Sequence, residues 1–287
     1  MFSMVKRKIT RRRKIPKVTC SDILGVHPTD CHPLGILLSA SDGSTNSGVP
    51  HRALSECGGQ RRPIVECLRE MLVQHHVSPE AVERDRRRRA AVRRLGLEDV
   101  QSRMKRFPEN LSTQKGNIAE VVLAEYIAAA NEVSLPVYRL RYNPNIEQSM
   151  KGDDVLAFDL DSDPVRIIVG ESKFRTISSK KAVTDIIEGL ARSHKGGIPA
   201  SLQFVADRLF ETGNEDLGEQ ILECAALFAL EKLRLEYVGL LMSDTRSANR
   251  LNQHTNNSLH RLAVISFGLD SPSSIVNPCF DGLEECI

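Results

Sequence analysis

Residues 151–175 read KGDDVLAFDLDSDPVRIIVGESKFR. Two apolar runs, Val155 to Leu160 and Val165 to Val169, flank Asp161-Ser162-Asp163-Pro164. Aspartate, serine and proline each favour a bend. The second run is β-branched at Val165, Ile167, Ile168 and Val169, as strands prefer. The stretch predicts a β-hairpin. Asp153 and Asp154 open its first strand, and Glu171, Ser172 and Lys173 close its second. Antiparallel pairing sets those two ends side by side at one edge of a sheet.

The chemistry follows from the strand period. Side chains two apart share a face, so Glu171 and Lys173 point one way and Ser172 the other. With Asp154 facing Glu171 across the hairpin, two carboxylates form a hard-oxygen site. Magnesium takes one or two such ligands and fills its remaining positions with water and phosphate. Lys173 beside them can hold a water or neutralise charge that develops on a phosphate. These are the parts of metal-assisted phosphodiester hydrolysis. Asp154 abuts the apolar run and is the preferred ligand; Asp153 is the alternative and should face the opposite side. The competing structural reading is a Glu171–Lys173 salt bridge at a strand end, worth about 0–1 kcal/mol if exposed.

Gly152-x-Asp154, a hairpin and Glu171-x-Lys173 resemble the core of the PD-(D/E)xK nucleases, with an acid doublet where the family has proline-aspartate. A helix pattern precedes the hairpin, and a helix and a strand pattern follow. That order resembles the α/β, restriction-endonuclease-like αβββαβ core. Within it KGNIAEVVLAEYI, KGDDVLAF, VGESKFR and PASLQFVADRLFE together are similar to the HamA family, nuclease subunits of the Hachiman anti-phage system. The resemblance covers Phe107 to Leu241. It implies a metal-dependent deoxyribonuclease using Mg2+, with Mn2+ as a substitute. It also implies a helicase partner encoded by a neighbouring gene, which restrains cutting until invading or damaged DNA is sensed. In the resembling nucleases a helix glutamate at the place of Glu120 joins the metal site; periodicity alone does not separate Glu120 from Glu125, since both have apolar helical neighbours. The expected site is therefore Asp154, Glu171 and Glu120 on the metal, with Lys173 as the catalytic ammonium. A second reading is a non-catalytic subunit of the same fold that binds DNA or a helicase. A third is a nuclease acting on RNA.

Composition sets outer bounds. A chain of 287 residues with 41% apolar content can hold one large domain or two smaller ones. No apolar run approaches bilayer-spanning length, and the basic N-terminus lacks the apolar segment of a secretory signal. Seven scattered cysteines argue for reduced thiols in a cytoplasm. Cys20, His27, Cys31, His32, His51 and Cys57 lack the CxxC spacing of a zinc knuckle, so ordinary thiols are preferred. No Walker-type loop is present, so no nucleotide cofactor is expected. Charge is uneven: residues 1–106 hold 22 Lys+Arg against 11 Asp+Glu, and the remainder 17 against 26. A basic region over 1–106 and a nuclease domain over 107–287 are the expected division, the former suited to phosphate or to an acidic partner surface.

Along the chain, 1–17 reads as a basic disordered arm and 18–60 as irregular, with short extended pieces near Ile23-Leu24 and Gly35 to Leu38. Pro63 to His75 predicts a helix. Ser78-Pro79-Glu80 starts another, carrying Arg86, Arg87, Arg88 and Arg89 as expected nucleic-acid contacts. Leu97 to Phe107 predicts a short helix and Pro108 to Gln114 a loop. The next helix starts at Lys115-Gly116-Asn117 and runs to Asn131. Val137 to Tyr142 (VYRLRY) alternates as a strand, the first of the core sheet. A helix from Ser178 or Ser179 to Leu190 brings Lys180 and Lys181 towards phosphates. Pro199 to Phe210 and Leu217 to Lys232 predict helices, the second in the core. Leu235 to Met242 and Arg261 to Phe267 predict strands, with a loop at 246–257 and a tail at the end.

Overall fold

The computed structural model describes residues 18–29, 32–97, 100, 105–194, 197–199 and 201–287. The expected basic arm, Cys31 and most of the helix expected at Leu97 to Phe107 lie outside the described residues.

The hairpin forms as its sequence dictates. β3 (Val155–Asp159) pairs antiparallel with β4 (Val165–Phe174), Val155 opposite Gly170. β4 then pairs parallel with β5 (Leu233–Asp244), and β5 parallel with β6 (Leu262–Leu269). Parallel neighbours need a crossover. Between β4 and β5 it is made by α6 (Lys180–His194), α7 (Leu202–Glu211) and α8 (Glu215–Ala229); between β5 and β6 by α9 (Ser247–His254). The loop expected at 246–257 is therefore mostly helix.

The sheet continues into the N-terminal region. After the short helices α1 (Cys20–Leu24) and α2 (Pro33–Leu37), β1 (Leu38–Ser44) and β2 (Pro50–Glu56) form a second hairpin, and β2 pairs parallel with β6. The order is β1-β2-β6-β5-β4-β3. Residues 18–60, expected to be irregular, thus supply two strands of one six-stranded mixed sheet.

Helices cover both faces, and the strands alternate between them as a pleat requires. Ile168, Val238, Leu240, Ala263 and Ile265 pack with α3 (Arg61–His76), α5 (Leu111–Asn131) and α10 (Ser273–Phe280). Ile167, Val169, Leu241 and Val264 pack on the other side with α6, α7 and Leu251 of α9. The expected C-terminal tail is α10 and a final 3-10 turn, Leu283–Cys286, which bury Ile275, Val276, Leu283 and Ile287. α8, expected in the core, buries only Gly218, Ile221 and Cys224 and leaves Leu230 65% exposed.

Two helix starts show capping chemistry. Ser78 accepts the Ala81 amide at 3.2 Å to begin α4 (Pro79–Arg94), as its sequence predicts. Asn110 accepts the amides of Ser112 and Thr113, so α5 begins four residues before the expected Lys115. The stretch VYRLRY is not a strand: Arg139–Tyr142 form a 3-10 turn. The outer edge of β3 is met instead by Ser134, which exchanges both backbone hydrogen bonds with Phe158 at 2.9 Å. The expected order of helix, three strands, helix and strand is met without its first strand.

Polar bonds tie the sheet together where apolar packing ends. Glu236 on β5 is fully buried, and its carboxylate receives Arg166 Nε at 2.6 Å and Arg261 Nε at 2.9 Å, with Arg234 at 3.3 Å. Arg166 also donates to Ile23 O at 2.8 Å and to Asn131 Oδ1 at 2.7 Å, so one guanidinium joins β4, β5, α1 and the end of α5. Removing one partner of such a cluster leaves buried charge uncompensated. Glu236→Ala is expected to lower unfolding free energy by about 3–5 kcal/mol, read from urea denaturation of the full chain.

Candidate active site

Asp154 immediately precedes β3, and its Oδ2 accepts the Ser172 amide at 2.8 Å and the Ser172 hydroxyl at 2.9 Å. Ser172, expected to turn away, is thus the clamp that fixes Asp154 beside the end of β4. Asp153 has a different partner. Its amide donates to Ser201 Oγ at 2.9 Å, and its Oδ2 accepts the Ser201 amide at 3.0 Å. Gly152 makes this lock fit: its φ is +108°, and a Cβ there would lie 2.7 Å from Ser201 Oγ. Asp153 therefore fastens the loop to the start of α7, while Asp154 faces the end of β4.

Glu171 and Lys173 share a face of β4, and the Lys173 ammonium contacts Glu171 Oε1 directly. Glu171 packs against α6 at Gly189, where a Cβ would come within 2.5 Å of the Glu171 carboxyl carbon. Glu120 reaches the same place from α5 and is 8% exposed. Glu120, Asp154, Glu171 and Lys173 line one cleft of about 850 Å³.

The closeness of these groups shapes their electrostatics. Burial raises the Glu120 pKa to about 8; Arg139 opposes the rise, and the charges on Asp154 and Glu171 add to it. Glu171 is also pushed up, by burial first and by Asp154 second, against the pull of Lys173. Glu125, the other candidate acid of the helix, lies elsewhere: His75 Nε2 sits 2.6 Å from Oε1 and His32 Nε2 3.5 Å from Oε2. Burial alone would raise its pKa, but the two histidines pull it down to about 2.

Arg139 lies within the stretch expected to be a strand, and that reading gave it no part in the site. Its side chain is 12% exposed, with Nε 3.5 Å from Glu120 Oε1 and Nη1 3.7 Å from Asp154 Oδ1. Its other bonds go to the carbonyls of Asp153 and Lys151. The rim of the cleft is basic, through Lys115, Lys151, Arg175 and Arg192. None of the six expected nucleic-acid contacts lines it. Arg89 is bound to Glu284 at 2.6 Å, Arg86 and Arg87 approach Glu83 of their own helix, and Lys181 pairs with Asp185 at 3.1 Å. Arg88 and Lys180 are exposed. Of the residues weighed for zinc, His27 is held by Tyr126 and Leu38 O, and His51 by Ser266.

Among the described residues no three acidic, histidine or cysteine side chains form a ready-made metal cage. The donor set is instead an open one. Glu120 Oε1 is buried without a hydrogen-bond partner, an uncommon state for a carboxylate oxygen. Neighbouring carboxylates already repel it. A hard divalent cation that accepts one or two carboxylates suits these residues.

The raised Glu120 pKa has a consequence for stability. Folding favours its protonated form, so the stability that Glu120 contributes to the metal-free protein is fully present below about pH 4.5 and is lost as pH rises through about 8. In urea titrations of metal-free protein at about pH 5, 6.5 and 8, Glu120→Gln is expected to remove most of the decline that Glu120 causes across that range.

Two comparisons bear on this arrangement. The family model described as HamA matches residues 44–283. The Hachiman protein HamA of Bacillus cereus is 31% identical over 263 residues, covering 92% of this chain and 94% of that protein. The family-model match extends well beyond the hairpin and its neighbours, from the end of β1 through α10. The chain belongs to the HamA family.

Proposed function

We propose that this chain is a metal-dependent endonuclease that hydrolyses DNA phosphodiester bonds, on a PD-(D/E)xK core, as the effector of a Hachiman anti-phage complex with a helicase partner. The observation that carries the reading is the convergence in one cleft of Glu120, Asp154, Glu171 and Lys173, with a buried carboxylate oxygen left without a hydrogen bond. Asp154, Glu171 and Glu120 would hold Mg2+, or Mn2+ in its place. When bound, that ion would act as a Lewis acid on the scissile phosphate and lower the pKa of a coordinated water. The chain's own residues do the remainder. Ser172 fixes the direction of the Asp154 carboxylate. Lys173 holds the attacking water or balances charge gathering on the phosphate. Lys115, Lys151, Arg175 and Arg192 line the rim and would draw the sugar-phosphate backbone over the acidic floor. Arg86, Arg88 and Lys180 would contact nucleic acid only outside the cleft.

A second reading rests on the ion pairs. Arg139 beside Glu120 and Asp154, and Lys173 on Glu171, could serve only to stabilise a non-catalytic DNA- or helicase-binding subunit. Purified full chain, alone and with its helicase, incubated with Mg2+ and plasmid decides between them; parallel RNA substrates test the choice of nucleic acid. Glu171→Ala and Lys173→Ala are each expected to lower the cutting rate by about 10²–10⁴-fold. Unchanged cutting in both would place the chemistry elsewhere.

Gly189→Ala offers a test that replaces neither a proposed ligand nor the lysine. In a helix alanine is preferred over glycine by about 1 kcal/mol, yet the new methyl would displace the Glu171 carboxylate. The expected outcome is a stable, folded protein whose cutting rate falls at least about tenfold, since a small misplacement of a reacting group is costly.

A further inference from the structure

Arg139 stands at the acidic cleft without hydrogen-bonding to either carboxylate it faces. The separations of 3.5 Å to Glu120 and 3.7 Å to Asp154 are ion-pair distances, and Glu120 Oε1 has no hydrogen-bond partner. Two of its donors go to backbone instead: Nη1 to the Asp153 carbonyl and Nη2 to that of Lys151 at 3.3 Å. Those carbonyls belong to the loop that carries Asp154. The guanidinium is therefore tethered close to the acids, and it is shielded from solvent.

We propose that Arg139 is a positioning residue that serves as the resident counter-ion of the cleft. It holds Glu120 and Asp154 together when no divalent ion is present, and it weakens the binding of that ion by staying in place. The inference rests on the reading above that these acids take a divalent cation. Charge balance gives its direction. In the ion-bound site all three carboxylates are ionised, and against two fixed cations, Lys173 and Arg139, they leave one negative charge for the divalent ion. A divalent ion overshoots this to net positive. With Arg139 neutral, the same ion balances the site. Arg192 and Arg175 stand at the exposed rim, where solvent screens them. Arg139 does not have that relief, and like charges a few ångströms apart in a part-buried site interact strongly.

The residue also explains a feature of the loop. Arg139 and Ser201 hold the Lys151–Asp153 segment from two sides, one through its carbonyls and the other through the Asp153 amide and carboxylate. The counter-ion thus moves with the acid it compensates.

The test measures Mn2+ binding to the full chain by electron paramagnetic resonance, alongside thermal melting with and without Mn2+. Arg139→Gln is expected to bind Mn2+ on the order of tenfold tighter than the parent. Arg139→Lys, which keeps the charge, should stay within about threefold of the parent. Metal-free Arg139→Gln should melt below the parent, and saturating Mn2+ should narrow the gap. If Arg139→Gln is too unstable to isolate without metal, purification in Mn2+ should recover it. Equal or weaker Mn2+ binding by folded Arg139→Gln, or no recovery in Mn2+, would overturn the counter-ion role while leaving the nuclease reading standing. A folded parent that binds no Mn2+ would remove the metal-site reading itself, and the counter-ion role with it.

Discussion

Carboxylates crowded into a part-buried cleft repel one another, and the rest of the site answers that repulsion. Burial keeps water from screening Glu120 and Glu171, so their preference for a proton rises. Lys173 meets one acid directly and Arg139 faces two others from a distance. A structure that only needed stability would do better with apolar side chains here. The arrangement makes sense where an incoming cation and a phosphate complete the charge balance, which is the logic of the proposed nuclease.

The scaffold around the cleft is made of short, direct connections. Ser172 bonds Asp154 across the hairpin, Ser201 bonds Asp153 from α7, and Gly189 lets α6 approach Glu171 closely. Each acid is positioned by a different element, so the geometry depends on how helices on both faces seat on the sheet. The Glu236 cluster, on the strand next to β4, serves that seating by joining β4 and β5 to α1 and α5. Site and framework are therefore coupled through one strand pair.

What the sequence revealed, and what it hid, follows from the range of the forces involved. The hairpin, α5 and the two later strands carry local periodicity, which a single chain displays openly. So does the convergence of Asp154, Glu171 and Lys173, because a hairpin is a local contact. VYRLRY alternates on paper, but the segment is held as a tight turn by packing that its own sequence does not display: Tyr142 meets Phe204 edge-on and Arg141 lies over Tyr138. The same misreading hid Arg139. β1 is an edge strand that buries little beyond Leu38, and β2 buries His51 and Arg52, whose partners are Ser266, Asp42 and Tyr126. Strands stabilised by such distant polar partners show no apolar rhythm. α10 carried an internal Pro278, which reads locally as a break. The arginine-rich α4 gave a correct helix, but charge alone could not say that Arg89 would be committed to Glu284.

The sheet's wiring bears on how the polypeptide reaches its native form. His51 on β2 lies beside Val264 on β6, a pairing that spans about 210 positions of chain. Such distant contacts make acquisition of structure slow, because the intervening chain must be ordered before the pairing is rewarded. On a ribosome, the β1–β2 hairpin would emerge early and keep one open edge until the last strand arrived. An open edge invites other strands. The nascent protein would thus be most vulnerable to aggregation during the long interval between making its second strand and its sixth.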